Sequence, residues 1–258
     1  MSEAIYLPEG HGRFLPTELA RGPWDPDAQH GGAPAALIAR AVEQTESAVP
    51  MDVVRLTYEF LRPVPLTPLD LTTRILRPGR RVQLIEATLR AGEQEVVRAT
   101  ALRIRSDAVP APTAERVSPP HGGPATSAPI HMPAFERGPT MFARDGMEVR
   151  FANGAFADVG PAFAWFRLQA PLIAGEDPSP LQRLAAAGDF GNGIATAVSW
   201  ATHVFINPDL TLYVERLPEG EWVGLDAVTR VGDAGIGVSD SALYDERGRV
   251  AARSRGCM

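Results

Sequence analysis

Two short segments hold the residues best suited to acid–base chemistry. In the first, Asp189 follows Ala185 by four residues and Leu181 by eight, so in a continuous helix its carboxylate would lie on their apolar face. Such a carboxylate is costly unless it is hydrogen-bonded or functional, and desolvation makes it hold a proton more readily. Asp189 is therefore our candidate general base. In the alternative interpretation, Asp189 ends the helix in the run GDFGNG and is solvated.

The second segment is the turn Gln29-His30-Gly31-Gly32, which precedes an apolar helix candidate. Backbone N–H groups at a helix N-terminus lack intrahelical partners and lie at the positive end of the helix dipole, so they suit a carbonyl oxygen of a ligand. Glycine lets a ligand approach the backbone closely, and imidazole titrates near neutral pH. We predict that these four residues line a substrate site. Alternatively, the glycines let the helix pack tightly and His30 caps the helix or lies in a loop.

Length and composition predict a folded globular chain. It has 258 residues, of which 45% are hydrophobic and 22% are charged, with a formal net charge of −6. This acidic balance argues against a nucleic-acid surface, the apolar runs are too short to cross a bilayer, and the N-terminus lacks a signal-peptide pattern. The single cysteine, Cys257, cannot form an internal disulfide. The sequence therefore predicts a soluble, cytoplasmic protein without membrane or nucleic-acid partners.

The chain repeats itself on either side of a linker. The segment LDLTTR at 69–74 recurs as LDAVTR at 225–230, and Leu56-Thr57 recurs as Leu210-Thr211. Between the copies, 106–133 is rich in Pro, Ala, Ser and Gly without periodicity, which is typical of a linker. We therefore divide the chain into an N-terminal repeat at 1–105, the linker at 106–133 and a C-terminal repeat at 134–258.

Each repeat combines one helix candidate with several strand candidates. The first helix candidate, 33–42, is apolar on almost every side, so it should be buried all round; the second is 181–187. The strand candidates, separated by turn residues, are 53–61, 69–76, 82–89 and 95–104, then 147–152, 162–169, 210–216, 222–231, 237–244 and 250–255. This pattern predicts an α+β fold in which a sheet wraps around each helix.

These motifs resemble a known family. A helix opening on Gln-His-Gly-Gly, followed by Leu-Thr-(x)4-Arg-Pro at 56–63, resembles the hotdog fold. The doubling resembles the acyl-CoA thioesterase II type of the thioesterase-like superfamily, over nearly the whole chain apart from the linker. The resemblance implies a double hotdog, in which two repeats pack as an intramolecular pseudo-dimer. It also implies an acyl-CoA thioesterase that hydrolyses its substrate to a free acid and CoA by general-base activation of water.

The resemblance also assigns a water site. In that family a carboxylate near the second helix, a Ser or Thr in the next strand and a Gln near the C-terminus hold the attacking water. These roles fall on Asp189, Asn207 and Arg255, and the last two depart from the family's residue types. An Asn amide can orient water and an Arg can hold an oxyanion or a phosphate. Alternatively, Asn207 is a turn residue before Pro208 and Arg255 is an exposed charge beside Arg253.

The resemblance also implies an acyl-CoA or other thioester substrate, a homo-oligomer of double-hotdog subunits, and no metal or redox cofactor.

Two other functions stay open. A hotdog enoyl-thioester hydratase would instead need a histidine–carboxylate pair, for which the candidates are His30 with Asp25 or Asp27. A non-catalytic ligand-binding module would keep the fold without the water site, as the departures at Asn207 and Arg255 would allow.

Overall fold

A computed structural model describes residues 4–106, 116–132, 138–156, 158–200, 202–203, 205 and 207–257, with only the backbone from 253 onward. The N-terminal part contains β1 (Tyr6–Gly10), β2 (Arg13–Pro16), α1 (Gly32–Gln44), β3 (Met51–Phe60), β4 (Leu69–Arg77), β5 (Val82–Ala91) and β6 (Gln94–Arg105). The C-terminal part contains β7 (Ala128–Pro129), β8 (Met147–Asn153), β9 (Ala162–Leu168), α2 (Pro180–Gly188), α3 (Gly191–Ile194), β10 (Asp209–Val214), β11 (Val223–Val231), β12 (Gly237–Asp245) and β13 (Gly248–Cys257).

Within the described residues, thirteen strands form one sheet in the order β1-β2-β4-β5-β6-β3-β10-β13-β12-β11-β9-β8-β7. Both helices and all ten strands expected from the sequence are present, with ends shifted by at most two residues. The hairpin β1–β2, strand β7 and helix α3 were not predicted. Strand β7 lies inside the segment interpreted as a linker, where Ala128 and Pro129 pair with Phe151 and Arg150 of β8. Proline is tolerated there because β7 is an edge strand.

The two repeats join where β3 pairs with β10. Thr57 lies directly opposite Thr211, and the Thr211 hydroxyl donates to the Thr57 hydroxyl at 3.3 Å. These threonines occupy the same position in the two copies of the repeat. In an antiparallel pair of equivalent strands, a residue faces its own equivalent only at the two-fold axis, so the local pseudo-two-fold axis passes between them. The duplicated sequence thus folds as an intramolecular pair, with one continuous sheet.

Helix α1 is enclosed by the sheet and by α2. Every residue from 32 to 39 is buried, whereas Arg40 and Glu43 are partly exposed, so the prediction of all-round burial is confirmed for the first two turns. Small side chains let the helices approach closely: a Cβ at Gly32 would lie 2.5 Å from the Ala186 carbonyl oxygen of α2. This approach places the N-terminus of α1 against the C-terminus of α2. No helix in the described ranges is long and apolar enough to span a membrane.

Candidate active site

A cavity of about 420 Å³ lies between the two repeats, within the size range of small-molecule sites. Its buried wall is apolar and includes Met132, Met141, Val149, Phe190, Ile194 and Phe205. Its mouth is formed by exposed residues, namely Trp24, Leu61, Arg62 and Pro63. A small polar group composed of His30, Asp189, Asn192 and Asn207 also lines it. The cavity therefore offers apolar surface for an acyl group beside a few groups capable of chemistry.

Asp189 caps the C-terminus of α2 and is 5% exposed. Its carboxylate lies against the N-terminus of α1, where a Cβ on Gly31 would be 2.9 and 3.0 Å from the two oxygens. The positive end of the α1 dipole stabilises a negative charge at this position. Asp189 does end its helix, as the alternative interpretation held, but it is buried rather than solvated. A side chain at position 31 would displace this carboxylate.

His30 lies beside this carboxylate. Its ring packs between Phe142 and Phe190, with centroid distances of 5.2 and 4.4 Å. Its Nδ1 atom lies 3.1 Å from Asp189 Oδ2 and also 3.1 Å from the backbone nitrogen of Gly32. When protonated, Nδ1 donates to the carboxylate; when unprotonated, it accepts from the Gly32 N–H. The tautomer of His30 therefore decides which of these two contacts is a hydrogen bond.

The carboxylate partner of His30 differs from the expected one. The sequence suggested Asp25 or Asp27, whereas the structure brings Asp189 to the ring. Asp25 lines the mouth of the cavity, and its Oδ1 accepts the backbone N–H of Asp27 at 2.9 Å. Sequence proximity pointed to the wrong acids because the partner comes from the other repeat.

The Gln29 side chain holds the turn in place. The Tyr6 hydroxyl donates to Gln29 Oε1 at 2.5 Å, and Gln29 Nε2 donates to the Pro65 carbonyl oxygen at 2.7 Å. Burial raises the pKa of the Tyr6 hydroxyl well above its usual value, so this group stays a donor. Gln29 lines the cavity, and these bonds fix the backbone from which His30 and Gly31 project.

Asn207 lies in the cavity beside a residue that the sequence analysis missed. Asn192 of α3 is 4% exposed, and its Nδ2 donates to Asn207 Oδ1 at 2.8 Å. In the reverse direction, Asn207 Nδ2 lies 3.4 Å from Asn192 Oδ1. Asn192 follows Asp189 by three residues in the run GDFGNG. That spacing would have indicated a shared side of a helical turn.

Arg255 is described only by its backbone. It lies in β13 opposite Ser239 of β12, and its side chain is outside the described residues, so its role stays a prediction. No group of three or more His, Cys, Asp or Glu side chains in the described part of the chain is placed to hold a metal ion.

Comparison with known families decides the assignment. The model of the acyl-CoA thioesterase N-terminal domain matches residues 20–104, and the model of the C-terminal domain matches residues 124–255. The chain belongs to the acyl-CoA thioesterase family. Comparison of this thioesterase-family chain with curated proteins finds no match.

Solved structures agree with this family in fold. A candidate thioesterase from Novosphingobium aromaticivorans DSM 12444 aligns with a TM-score of 0.77 at 21% identity, covering 100% of this chain and 99% of that one. A conserved protein with a hot dog fold from Alicyclobacillus acidocaldarius gives 0.76 at 17% identity, covering 97% and 94%. Acyl-CoA thioesterase II TesB2 from Mycobacterium marinum gives 0.65 at 16% identity, covering 100% and 94%. The chain is a double hotdog, as predicted.

Proposed function

We propose that this protein hydrolyses an acyl-CoA thioester to a free acid and CoA, with Asp189 as the general base. The observation that carries the proposal is a buried carboxylate lining an apolar cavity in a member of the acyl-CoA thioesterase family. A base in a desolvated site beside an apolar acyl pocket suits attack of water on a thioester carbonyl.

The reaction would run in two steps. Asp189 takes a proton from water as the water oxygen attacks the thioester carbon, and the carbonyl oxygen becomes an oxyanion. The Gly31 N–H at the start of α1 and the Asn207 amide are the candidate donors to the oxyanion and the water, because the N–H groups of Gly32 and Ala33 already donate to His30. The carbon–sulfur bond then breaks, and the CoA thiolate takes the proton from Asp189. The products are the carboxylic acid and CoA.

The experiment measures release of free CoA thiol from short, medium and long acyl-CoAs. We compare the wild type, Asp189→Asn and, as a matched control, Glu43→Gln. Glu43 is the corresponding carboxylate at the other end of the helix pair, where it accepts from Ser179 of the α2 N-terminus at 2.7 Å, and it does not line the cavity. We expect turnover that falls at least 100-fold in Asp189→Asn and persists in Glu43→Gln. Absence of thiol release from every acyl-CoA would refute the hydrolase.

A second candidate function is hydration of an enoyl thioester. The His30–Asp189 contact favours it, because hydration needs a histidine–carboxylate pair and this pair lines the cavity. Hydration would remove the conjugated double bond of an enoyl-CoA without releasing thiol. A protein that binds CoA thioesters and does neither reaction would be a binding module.

A further inference from the structure

The two repeats place one arginine at equivalent positions. In the N-terminal repeat, the backbone nitrogens of Leu61 and Arg62 both donate to the Val96 carbonyl oxygen, at 3.0 and 3.4 Å. In the C-terminal repeat, those of Glu215 and Arg216 donate to the Val250 carbonyl oxygen, at 2.9 and 3.2 Å. The same pair of backbone hydrogen bonds therefore follows β3 and β10. Arg62 and Arg216 are structural equivalents.

Their side chains have different surroundings. Arg216 forms a bidentate pair with Asp245, at 2.5 and 2.6 Å, and also donates to the Gly248 carbonyl oxygen at 3.0 Å. Asp245 is fully buried, so this arginine is fixed within the fold. Asp245 and Gly248 close the β12–β13 turn.

In the N-terminal repeat the carboxylate is missing. The turn between β5 and β6 is closed by Ala91 and Gln94, so Ala91 stands where the other repeat has Asp245. The Arg62 side chain has no hydrogen-bond or ion-pair partner among the residues that the structure describes. It is exposed and lines the mouth of the cavity. An ion pair thus holds Arg216 in the C-terminal repeat, whereas its equivalent Arg62 lies at the entrance to the cavity without such a partner among the described residues.

We propose that Arg62 binds a phosphate of the thiol carrier that delivers the acyl group. This inference rests on the proposed function, which supplies such a carrier. The acyl group suits the apolar interior, so the rest of the bound carrier must extend outward through the mouth of the cavity. Phosphopantetheine-type carriers bear their phosphates beyond the pantetheine arm, at the end away from the thioester. A guanidinium offers a planar fork of donors that matches phosphate oxygens. Of the described residues that line the cavity, Arg62 contributes the one guanidinium.

The test compares acyl-CoA with the same acyl group on pantetheine, which has no phosphate. We expect Arg62→Gln to raise the KM for acyl-CoA about tenfold, equivalent to about 1.4 kcal/mol, with kcat unchanged and no effect on acyl-pantetheine. The control is Arg80→Gln, an exposed arginine between β4 and β5 that does not line the cavity. An unchanged KM for acyl-CoA, or an equal rise for both substrates, would overturn the proposal.

A second variant introduces into the N-terminal repeat a carboxylate equivalent to Asp245. Ala91→Asp should draw the Arg62 guanidinium away from the mouth, as Asp245 holds Arg216. We expect it to raise the KM for acyl-CoA as Arg62→Gln does, and the double variant to show no further rise. Independent, multiplying effects of the two substitutions would contradict this account.

Two further measurements separate the phosphate source and the underlying function. If the Arg62→Gln effect appears with acyl-phosphopantetheine, the ligand is the phosphate shared by CoA and carrier-protein arms; if it appears only with acyl-CoA, the ligand is a nucleotide phosphate. Binding of desulfo-CoA by calorimetry needs no hydrolysis. If the wild type releases no thiol but binds desulfo-CoA more tightly than Arg62→Gln does, the phosphate subsite is supported and the proposed hydrolysis is refuted. If the wild type and Arg62→Gln bind desulfo-CoA equally, the subsite is refuted.

Discussion

His30 Nδ1 and Asp189 Oδ2 lie 3.1 Å apart, although they come from different repeats. The contact joins the residue that hydration would require to the residue that hydrolysis would require. Loss of either side chain therefore disturbs the other, and the reaction must be identified by its product. Free thiol indicates hydrolysis, and loss of the conjugated double bond without thiol indicates hydration.

The contact predicts coupled effects of substitution. We expect His30→Gln to lower kcat about tenfold and Asp189→Asn to lower it at least 100-fold. The double variant should be no slower than Asp189→Asn, because groups in contact act as a unit and their effects do not multiply. Steady-state kinetics of the four proteins measures the coupling. Effects that multiply would show that His30 and Asp189 act independently.

Gly31 predicts a steric effect on the same carboxylate. A Cβ at this position would lie within 3.0 Å of both Asp189 oxygens, so Gly31→Ala must push the carboxylate away from the helix terminus. We expect kcat to fall at least tenfold, since a small displacement of a catalytic group is costly. Gly232→Ala is the matched control, because the nearest atom to its Cβ would be at 3.6 Å. Wild-type turnover in Gly31→Ala would refute the assigned position of the base.

Asn192 predicts a positioning effect on Asn207. Removing the Asn192 amide takes away the donor that fixes Asn207 Oδ1, so the Asn207 side chain can rotate. We expect Asn192→Ala to lower kcat about tenfold, because losing a buried hydrogen bond typically costs about 1.4 kcal/mol. KM should change less than twofold. Asn153→Ala at the exposed end of β8 is the control. A rise in KM alone would mean that Asn192 shapes substrate binding instead.

The Arg216–Asp245 pair predicts a pH-dependent stability. Burial raises the pKa of the Asp245 carboxyl, but hydrogen bonds from Arg216 and from two backbone N–H groups outweigh burial, and the pKa lies below its usual value. The pair therefore stabilises the fold fully above the unfolded-state pKa of about 3.9. That stability is lost as the pH falls through the lower folded-state pKa.

Asp245→Asn should accordingly lower the free energy of unfolding by about 3 kcal/mol at pH 7. The difference from the wild type should shrink once the pH falls below about 4. Urea denaturation at several pH values measures it. Asp240→Asn removes the partner of the exposed Arg230 and should cost less than about 1 kcal/mol. A difference that stays constant down to pH 2 would contradict the role of the ionised carboxylate.

The architecture was largely predictable because its signals are local. The apolar run at 33–42 and the alternating strands are readable residue by residue, and the recurring Leu-Thr pair indicated the duplication. Strand β7 and helix α3 were missed because two to four residues carry too little pattern. Such short elements are stabilised by pairing with distant strands, as β7 is by β8.

The sequence by itself determined the residue types of the site and the two helices that carry them. It indicated Asp189 and the turn at 29–32 separately, and it kept their alternatives open. The tertiary structure decided that they lie next to each other, because the close packing of α1 on α2 brings the two helix ends together. It also decided that Asp245 holds Arg216 in an ion pair, whereas Arg62 has no such partner among the described residues. Both outcomes depend on contacts between residues far apart in the chain, and these contacts leave no local pattern in the sequence.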